Sequence, residues 1–223
     1  RSGFPHRANK PRDGVKKGRY GPARPAARSR IAARGRRKFP KVVLGAMGRF
    51  DSQFEQLTNS RWAYAVIAGL VFLLSLPGLF ALPVLDRDEG RFTEASSEMM
   101  ESGDFVVIRY HDELRNKKPV AIHWFQSMAV SLTSGAHERN IWDYRIPSML
   151  GAIMASLATF WGGLALFTRR AAFISAIVIG TTLLLTTEAN IGKTDAALCG
   201  FMTLGLAALA HIRAGATSKR LSI

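Results

Sequence analysis

The sequence contains one cysteine, Cys199, set within an apolar run, so no internal disulfide can form. No Cys and His spacing suits a structural zinc site either. Acid is almost missing from the first fifty residues, where Asp13 alone stands against sixteen Lys or Arg. The resulting balance of +15 equals that of the whole 223-residue chain, so everything after residue 50 is neutral overall. This is a basic protein only in its first fifty residues.

Residues 1–46 also have few aromatics, only Phe4, Tyr20 and Phe39, and almost no spaced apolar residues. A stretch so rich in Pro, Gly and Ala cannot bury enough surface to offset the entropy of ordering, and it reads as a disordered basic arm. Such an arm could bind nucleic acid or anionic lipid, or serve as a targeting segment. It could also be an upstream extension that is not native, because the first methionine is Met47. With so few rings to stack on bases, nucleic acid is not an expected partner.

What is present is a set of long apolar runs. Trp62–Leu85 is uncharged for twenty-four residues, more than the roughly 20 needed to cross a bilayer. Arg49 and Arg61 precede it and acids follow, which puts the N-terminus in the cytoplasm with 47–61 as a lead-in. Leu79-Phe80-Ala81 lacks the small residue of a signal-peptidase site, so the run reads as a retained anchor. Three further runs, Ile146–Thr168, Ala171–Thr187 and Ala196–Ile212, give three more transmembrane helices within 146–212.

Pro119–Ala136 is the ambiguous piece: eighteen uncharged residues that include His123, Gln126 and four Ser or Thr. If it spanned, Arg169-Arg170 and the Arg213, Lys219 and Arg220 cluster would fall outside, against the positive-inside rule. As an interfacial helix it leaves both clusters inside, and 86–145 becomes one long external loop. Residues 213–223 are then a cytoplasmic tail. His123 and Trp124 read as interface anchors rather than ligands.

The chemistry concentrates in that loop. Asp86, Arg87, Asp88, Glu89 and Arg91 follow the first span directly, and such membrane-edge charges are costly and usually functional. Phe92, Ser96, Met99 and Met100 recur at helical spacing, which predicts a short amphipathic helix stopped by Gly103-Asp104. Phe105–Tyr110 is an extended run, and His111-Asp112-Glu113 reads as a turn. Two tempting motifs fail. Gly192-Lys193-Thr194 lacks the first glycine of a phosphate-binding P-loop, where Thr187 stands. His137-Glu138 lacks the second histidine of a zinc-protease helix.

The string Asp88-Glu89, Arg91-Phe92, Glu94, Glu98-Met99, Gly103-Asp104, Lys118-Pro119 and Trp124 resembles the first external loop of a known family. That family comprises the bacterial relatives of the dolichyl-phosphate-mannose protein mannosyltransferases, including the 4-amino-4-deoxy-L-arabinose lipid A transferases. Arg145-Ile146-Pro147-Ser148 and Thr194-Asp195 resemble its later motifs, so the likeness runs from about residue 60 to 212.

The resemblance implies an all-α integral membrane protein of the GT-C kind, represented here by its N-terminal part. It implies an inverting glycosyltransferase in the bacterial inner membrane with an external, periplasmic active site. The sugar would pass from a polyprenyl-phosphate donor to lipid A, another envelope glycan or a protein. Asp88 matches the essential loop aspartate, Arg91 and Lys118 match residues facing the carrier phosphate, and Asp195 matches a second acid beside that cavity, with Glu89 in support. The family often has an acid before the loop lysine that helps hold a divalent metal. Lys117 stands there instead, so no metal or other cofactor is assigned. The tandem proline usual after the lysine is reduced to Pro119-Val120. As a fragment the chain is expected to be inactive alone. The alternative is a non-enzymatic scaffold whose external loop binds anionic headgroups of membrane lipids.

Overall fold

The computed structural model describes residues 51–84, 86–111, 113–115, 118–134 and 140–215. The basic arm, Lys117, His137, Glu138, Lys219 and Arg220 lie outside the described residues. After a helical stretch at 51–59 come α1 (Trp62–Ala81), α2 (Arg87–Ser102), β1 (Arg109–Tyr110), β2 (Glu113–Leu114) and α3 (Ala121–Thr133). Then follow α4 (Ile141–Leu166), α5 (Arg169–Gly180), α6 (Leu183–Ala189) and α7 (Asp195–Arg213).

Among the described residues, α1, α4 and α7 are each long and apolar enough to cross a membrane. The 20 residues of α1 rise about 30 Å, the thickness of a hydrocarbon core. The 13 residues of α3 rise only about 20 Å. The expected span at Ala171–Thr187 is not continuous: α5 and α6 meet at a 58° bend, and only the pair together is long enough. The cause is local. The Thr181 and Thr182 hydroxyls donate to Ile177 O and Ile179 O at 2.8 Å, competing with the helical ladder. Thr182 then turns extended, at ψ 137°, and begins α6.

Helix α4 is the hub, packed against α1, α3, α5, α6 and α7. One apolar cluster joins Ala63, Ile67, Phe160, Ala172, Phe173 and Ala176; a second joins Val71, Ala152, Ala155, Leu185, Ala189 and Ala196. Small residues dominate because membrane helices gain their attraction from close backbone approach. The tightest case is α4 against α7. A Cβ on Gly151 would stand 2.5 Å from Ala197 Cα, and one on Gly200 would stand 2.5 Å from Gly151 O. Both neighbours are backbone and cannot give way. Gly151→Leu is therefore expected to lower stability by roughly 2 kcal/mol, read as earlier unfolding in detergent; unchanged unfolding would mean that this helix contact is not formed.

The segment after α1 forms the short helix that its sequence predicts, while of the extended run at 105–110 only Arg109–Tyr110 is strand. Asp86 caps α2 by accepting the Asp88 N–H at 2.9 Å, and Asp88 and Glu89 sit in the first turn, where the helix dipole favours acids. Gly103 ends the helix at φ 69°, a left-handed conformation that glycine adopts without strain. Asp104 then accepts the Val106 and Val107 N–H groups, and β1 pairs with β2 in register Arg109↔Leu114. These acceptor bonds hold the Asp104 carboxyl below the ordinary aspartate range. Of the apolar stripe read from the sequence, Phe92, Ser96 and Met99 are buried, whereas Met100 is only half-buried.

Candidate functional site

Successive helical residues point about a quarter-turn apart, so the first turn of α2 sorts its charges between two surroundings. Asp88 faces outward, with its side chain 57% exposed, and accepts a hydrogen bond from Arg91 Nη1 at 3.2 Å. Glu89 faces inward and is buried.

Burial makes Glu89 the anchor of this end of the bundle. Its Oε1 accepts from Arg145 Nε at 2.7 Å and from the Gly192 N–H at 2.8 Å, and its Oε2 accepts from Arg145 Nη2 at 3.0 Å. The other donors of Arg145 reach the carbonyls of Gly78, Leu79, Leu82 and Pro83 at 2.8 to 3.2 Å. Those are oxygens at the C-terminal end of α1 and just beyond it, where a cation is favoured; Gly78 O also accepts the Leu82 N–H that ends the helix. One buried ion pair therefore ties α1, α2, α4 and the α6–α7 loop together. Glu89, read from the sequence as a supporting acid, is enclosed here because Arg145 of α4 offers a bidentate partner.

A second network lies beneath it. Ser96 Oγ donates to Gln126 Oε1 at 2.7 Å and lies 2.8 Å from His123 Nδ1. Gln126 Nε2 donates to Tyr144 O and Gly192 O at 3.2 and 3.0 Å. His123 stacks on Phe92 with ring centroids 5.4 Å apart. It is thus buried between α2 and α3 rather than anchored at an interface, because Ser96 supplies the polar partner its ring needs. Trp124 remains half exposed and donates Nε1–H to Phe105 O at 2.6 Å. Burial, reinforced by the positive charge of Arg115, pushes the His123 imidazole down to about 4, against a hydrogen-bond contribution from Phe92 that raises it.

This depressed value has a signed consequence. Between about pH 6.5 and 4 the unfolded chain holds a proton on His123 that the folded chain does not, so stability falls as the pH drops through that window. The full loss is on the order of 3 kcal/mol. Unfolding followed from pH 7 to 4 is expected to show this slope in the wild type and a smaller one in His123→Gln. Equal slopes would assign the acid sensitivity to other groups.

Lys193 joins the site from the other side. Its ammonium lies 3.3 Å from Asp86, 3.1 Å from Glu188 and 3.5 Å from Asp195. Burial alone would lower Lys193, but hydrogen bonds and charge from Glu188, Asp86 and Asp195 outweigh it and hold the group above the ordinary lysine range. Asp86 is lowered by the Asp88 N–H bond first; burial opposes this, and Lys193 and Arg87 add to the lowering. The lysine is thus neutralised three times over, which leaves it poorly suited to gripping a phosphate. Ser148 Oγ fixes its backbone by donating to Lys193 O at 3.0 Å.

The sequence-derived residues therefore divide. Asp88 and Arg91 form a pair on the exposed face of α2. Asp195 is linked to the α2 cap through Lys193 and Asp86, at the same end of the bundle. Asp195 and Glu188 also line a cavity of about 430 Å³ at the α5–α6 bend, and Asp88 is not among its lining residues. Lys118 is exposed at the entry to α3 and forms no ion pair with a described residue. Among the described residues, no cluster of three or more His, Cys, Asp or Glu is arranged to hold a metal. Arg145, Gln126 and Ser96 were given no site role from the sequence. The available signal was a charged residue at the mouth of an apolar run, since an arginine there needs a buried partner.

A mostly helical bundle with three helices of membrane-crossing length among the described residues is a fold of the GT-C membrane-protein kind. The fold matches that of ArnT from Cupriavidus metallidurans, solved bound to undecaprenyl phosphate, with a TM-score of 0.60 and 23% identity over 68% of this chain and 27% of that one. In sequence the chain is homologous to part of the undecaprenyl phosphate-α-4-amino-4-deoxy-L-arabinose arabinosyl transferases. It is 30% identical over 160 residues to the one from Pectobacterium carotovorum and 29% identical over 123 residues to the one from Aeromonas hydrophila. These alignments take in 70% and 55% of this chain but 27% and 21% of the relatives, so the chain spans about a quarter of their length. No family model matches it.

Proposed function

We propose that this chain carries the first external loop and donor-side helices of an inverting glycosyltransferase that draws its sugar from a polyprenyl-phosphate carrier. The observation that carries the reading is the Asp88–Arg91 pair, held at a membrane edge by the buried Glu89–Arg145 clamp beneath it.

In this reading Arg91 and Lys118 meet the carrier phosphate. As the bond between the sugar's anomeric carbon and the phosphate oxygen breaks, negative charge grows on the leaving phosphate, and fixed cations stabilise it. Asp88 acts on the other partner. It takes the proton of an acceptor hydroxyl, or orients a phosphate acceptor that is already charged, while that oxygen attacks from the opposite side of the ring. Asp195 and Glu89 support the site, the first from the α7 edge and the second by positioning α2. Residues 86–145 face the periplasm, the N-terminus faces the cytoplasm, and the membrane is the bacterial inner membrane. The acceptor is lipid A, another envelope glycan or a protein.

An apolar groove of about 300 Å³ between α3, α4 and α7, lined among others by Phe125, Met128, Leu132, Pro147, Leu150 and Phe201, suits part of a prenyl chain. Only its headgroup would then reach the charged loop.

Membranes containing the protein as expressed from its gene, supplied with an undecaprenyl-phosphate-linked sugar and lipid A, are expected to release undecaprenyl phosphate in step with glycosylated product. Binding of the donor without turnover, over a range of sugars and acceptors, would favour a headgroup-binding scaffold instead.

A further inference from the structure

The end of the bundle away from the Glu89–Arg145 clamp holds a second polar cavity that the proposed transfer does not use. Its volume is about 540 Å³, and it opens among the N-terminus of α1, the C-terminal parts of α4 and α7, and the start of α5. Polar groups from Asn59, Ser60, Arg61, Tyr64, Arg169 and His211 line it, and among the described residues no acidic side chain does. Along α1 it stands about 30 Å from the carbonyls that Arg145 caps, roughly one membrane thickness.

The cations here differ in how they are partnered. Arg170 is paired with Asp51 at 3.7 Å and Glu55 at 3.2 Å. Arg61 and Arg169, both at the cavity, form no ion pair with any described residue. The walls are fixed. His211 Nε2–H donates to Trp161 O at 2.9 Å, and its ring stacks on the Trp161 indole at a centroid distance of 4.5 Å. Tyr64 is held edge-on against Phe160 at 4.8 Å. Around the rim, Trp62, Leu166 and Phe167 are exposed, as expected of side chains that meet acyl chains and headgroups.

We infer that this cavity binds the phosphate of an anionic ligand between the Arg61 and Arg169 guanidinium groups, with a phospholipid headgroup of the surrounding leaflet as its source. A guanidinium pair suits phosphate oxygens, which accept two N–H bonds from each planar fork. The ends of α1 and α5 place the pair at headgroup depth, and the positive-inside rule puts that end in the leaflet whose anionic lipids collect in basic pockets between helices. The inference is independent of the transfer reaction and of Asp88.

The test is native mass spectrometry of the protein as expressed from its gene, titrated with phosphatidylglycerol, phosphatidylcholine and inorganic phosphate in separate arms. Phosphatidylglycerol is expected to bind at least tenfold more tightly than phosphatidylcholine. The Arg61→Gln/Arg169→Gln double variant is expected to lose that preference. Arg170→Gln, which removes a neighbouring but paired cation, is expected to stay within twofold of the wild type. Saturable binding of inorganic phosphate that is lost in the double variant, without lipid preference, would keep the phosphate site and change its source. Ala165→Phe fills the cavity while keeping both guanidinium groups. It is expected to lose the preference too, and it serves if the double variant does not fold. Neither lipid preference nor saturable phosphate binding in the wild type, an equal loss in Arg170→Gln, or an undiminished preference in Ala165→Phe would overturn the inference.

Discussion

Asp88→Asn is expected to lower sugar transfer about a thousandfold while leaving the fold intact. Both halves of that expectation come from the geometry of α2. The carboxylate is exposed, and its ion pair with Arg91 is of the solvent-screened kind that contributes at most about 1 kcal/mol. The structural duty at this turn falls to the Asp88 backbone N–H, which Asp86 caps and which asparagine retains. Unfolding should therefore move by no more than about 0.5 kcal/mol. Removing the charge strips the group of any capacity to accept a proton from a hydroxyl. Retained transfer would remove Asp88 from the chemistry, and the headgroup-binding scaffold would become the better account of the loop.

The opposite profile is expected one residue along. Glu89→Ala leaves Arg145 charged, buried and without its counter-ion, a loss that costs about 3–5 kcal/mol. It also frees the Gly192 N–H and releases α2 from α4. Transfer should fall at least a hundredfold although Asp88 is present, together with a clear drop in thermal stability. Glu89→Gln, which keeps an acceptor for Gly192 but not the charge, should fall between the two. Circular dichroism melts run beside the transfer assay separate the residues. Loss of activity without loss of stability is the mark of Asp88, and loss of both is the mark of Glu89. Wild-type stability in Glu89→Ala would mean that the clamp is not formed.

The contrast between these neighbours shows where sequence reasoning reached its end. Local features were legible because their causes are local. The apolar run from Trp62, the helical spacing of Phe92, Ser96 and Met99, and the stop at Gly103 each rest on nearest-neighbour physics. The resemblance also put Asp195 near the loop that carries Asp88, and Lys193 does link it to the Asp86 cap of the same helix. Apart from the resemblance, nothing local sorts Asp88 from Glu89. The difference depends on Arg145, 56 positions away, and on the free carbonyls of a helix to which neither acid belongs. His123 went astray for the same reason: its partner Ser96 lies 27 residues upstream, on a different helix. The break at Thr181-Thr182 was hidden by composition, since two threonines lower hydropathy little but offer two hydroxyls to the backbone.

The central claim, that the loop after the first span receives the donor phosphate, is tested most directly by photolabelling. The reagent is an undecaprenyl phosphate analogue with a diazirine beside the phosphate, used on the protein in its own membrane and mapped by peptide mass spectrometry. The account predicts labelled peptides around Asp88–Arg91 and Lys118, competed away by unmodified undecaprenyl phosphate and weakened in Arg91→Gln. Competable label confined to peptides distant from both segments would contradict it.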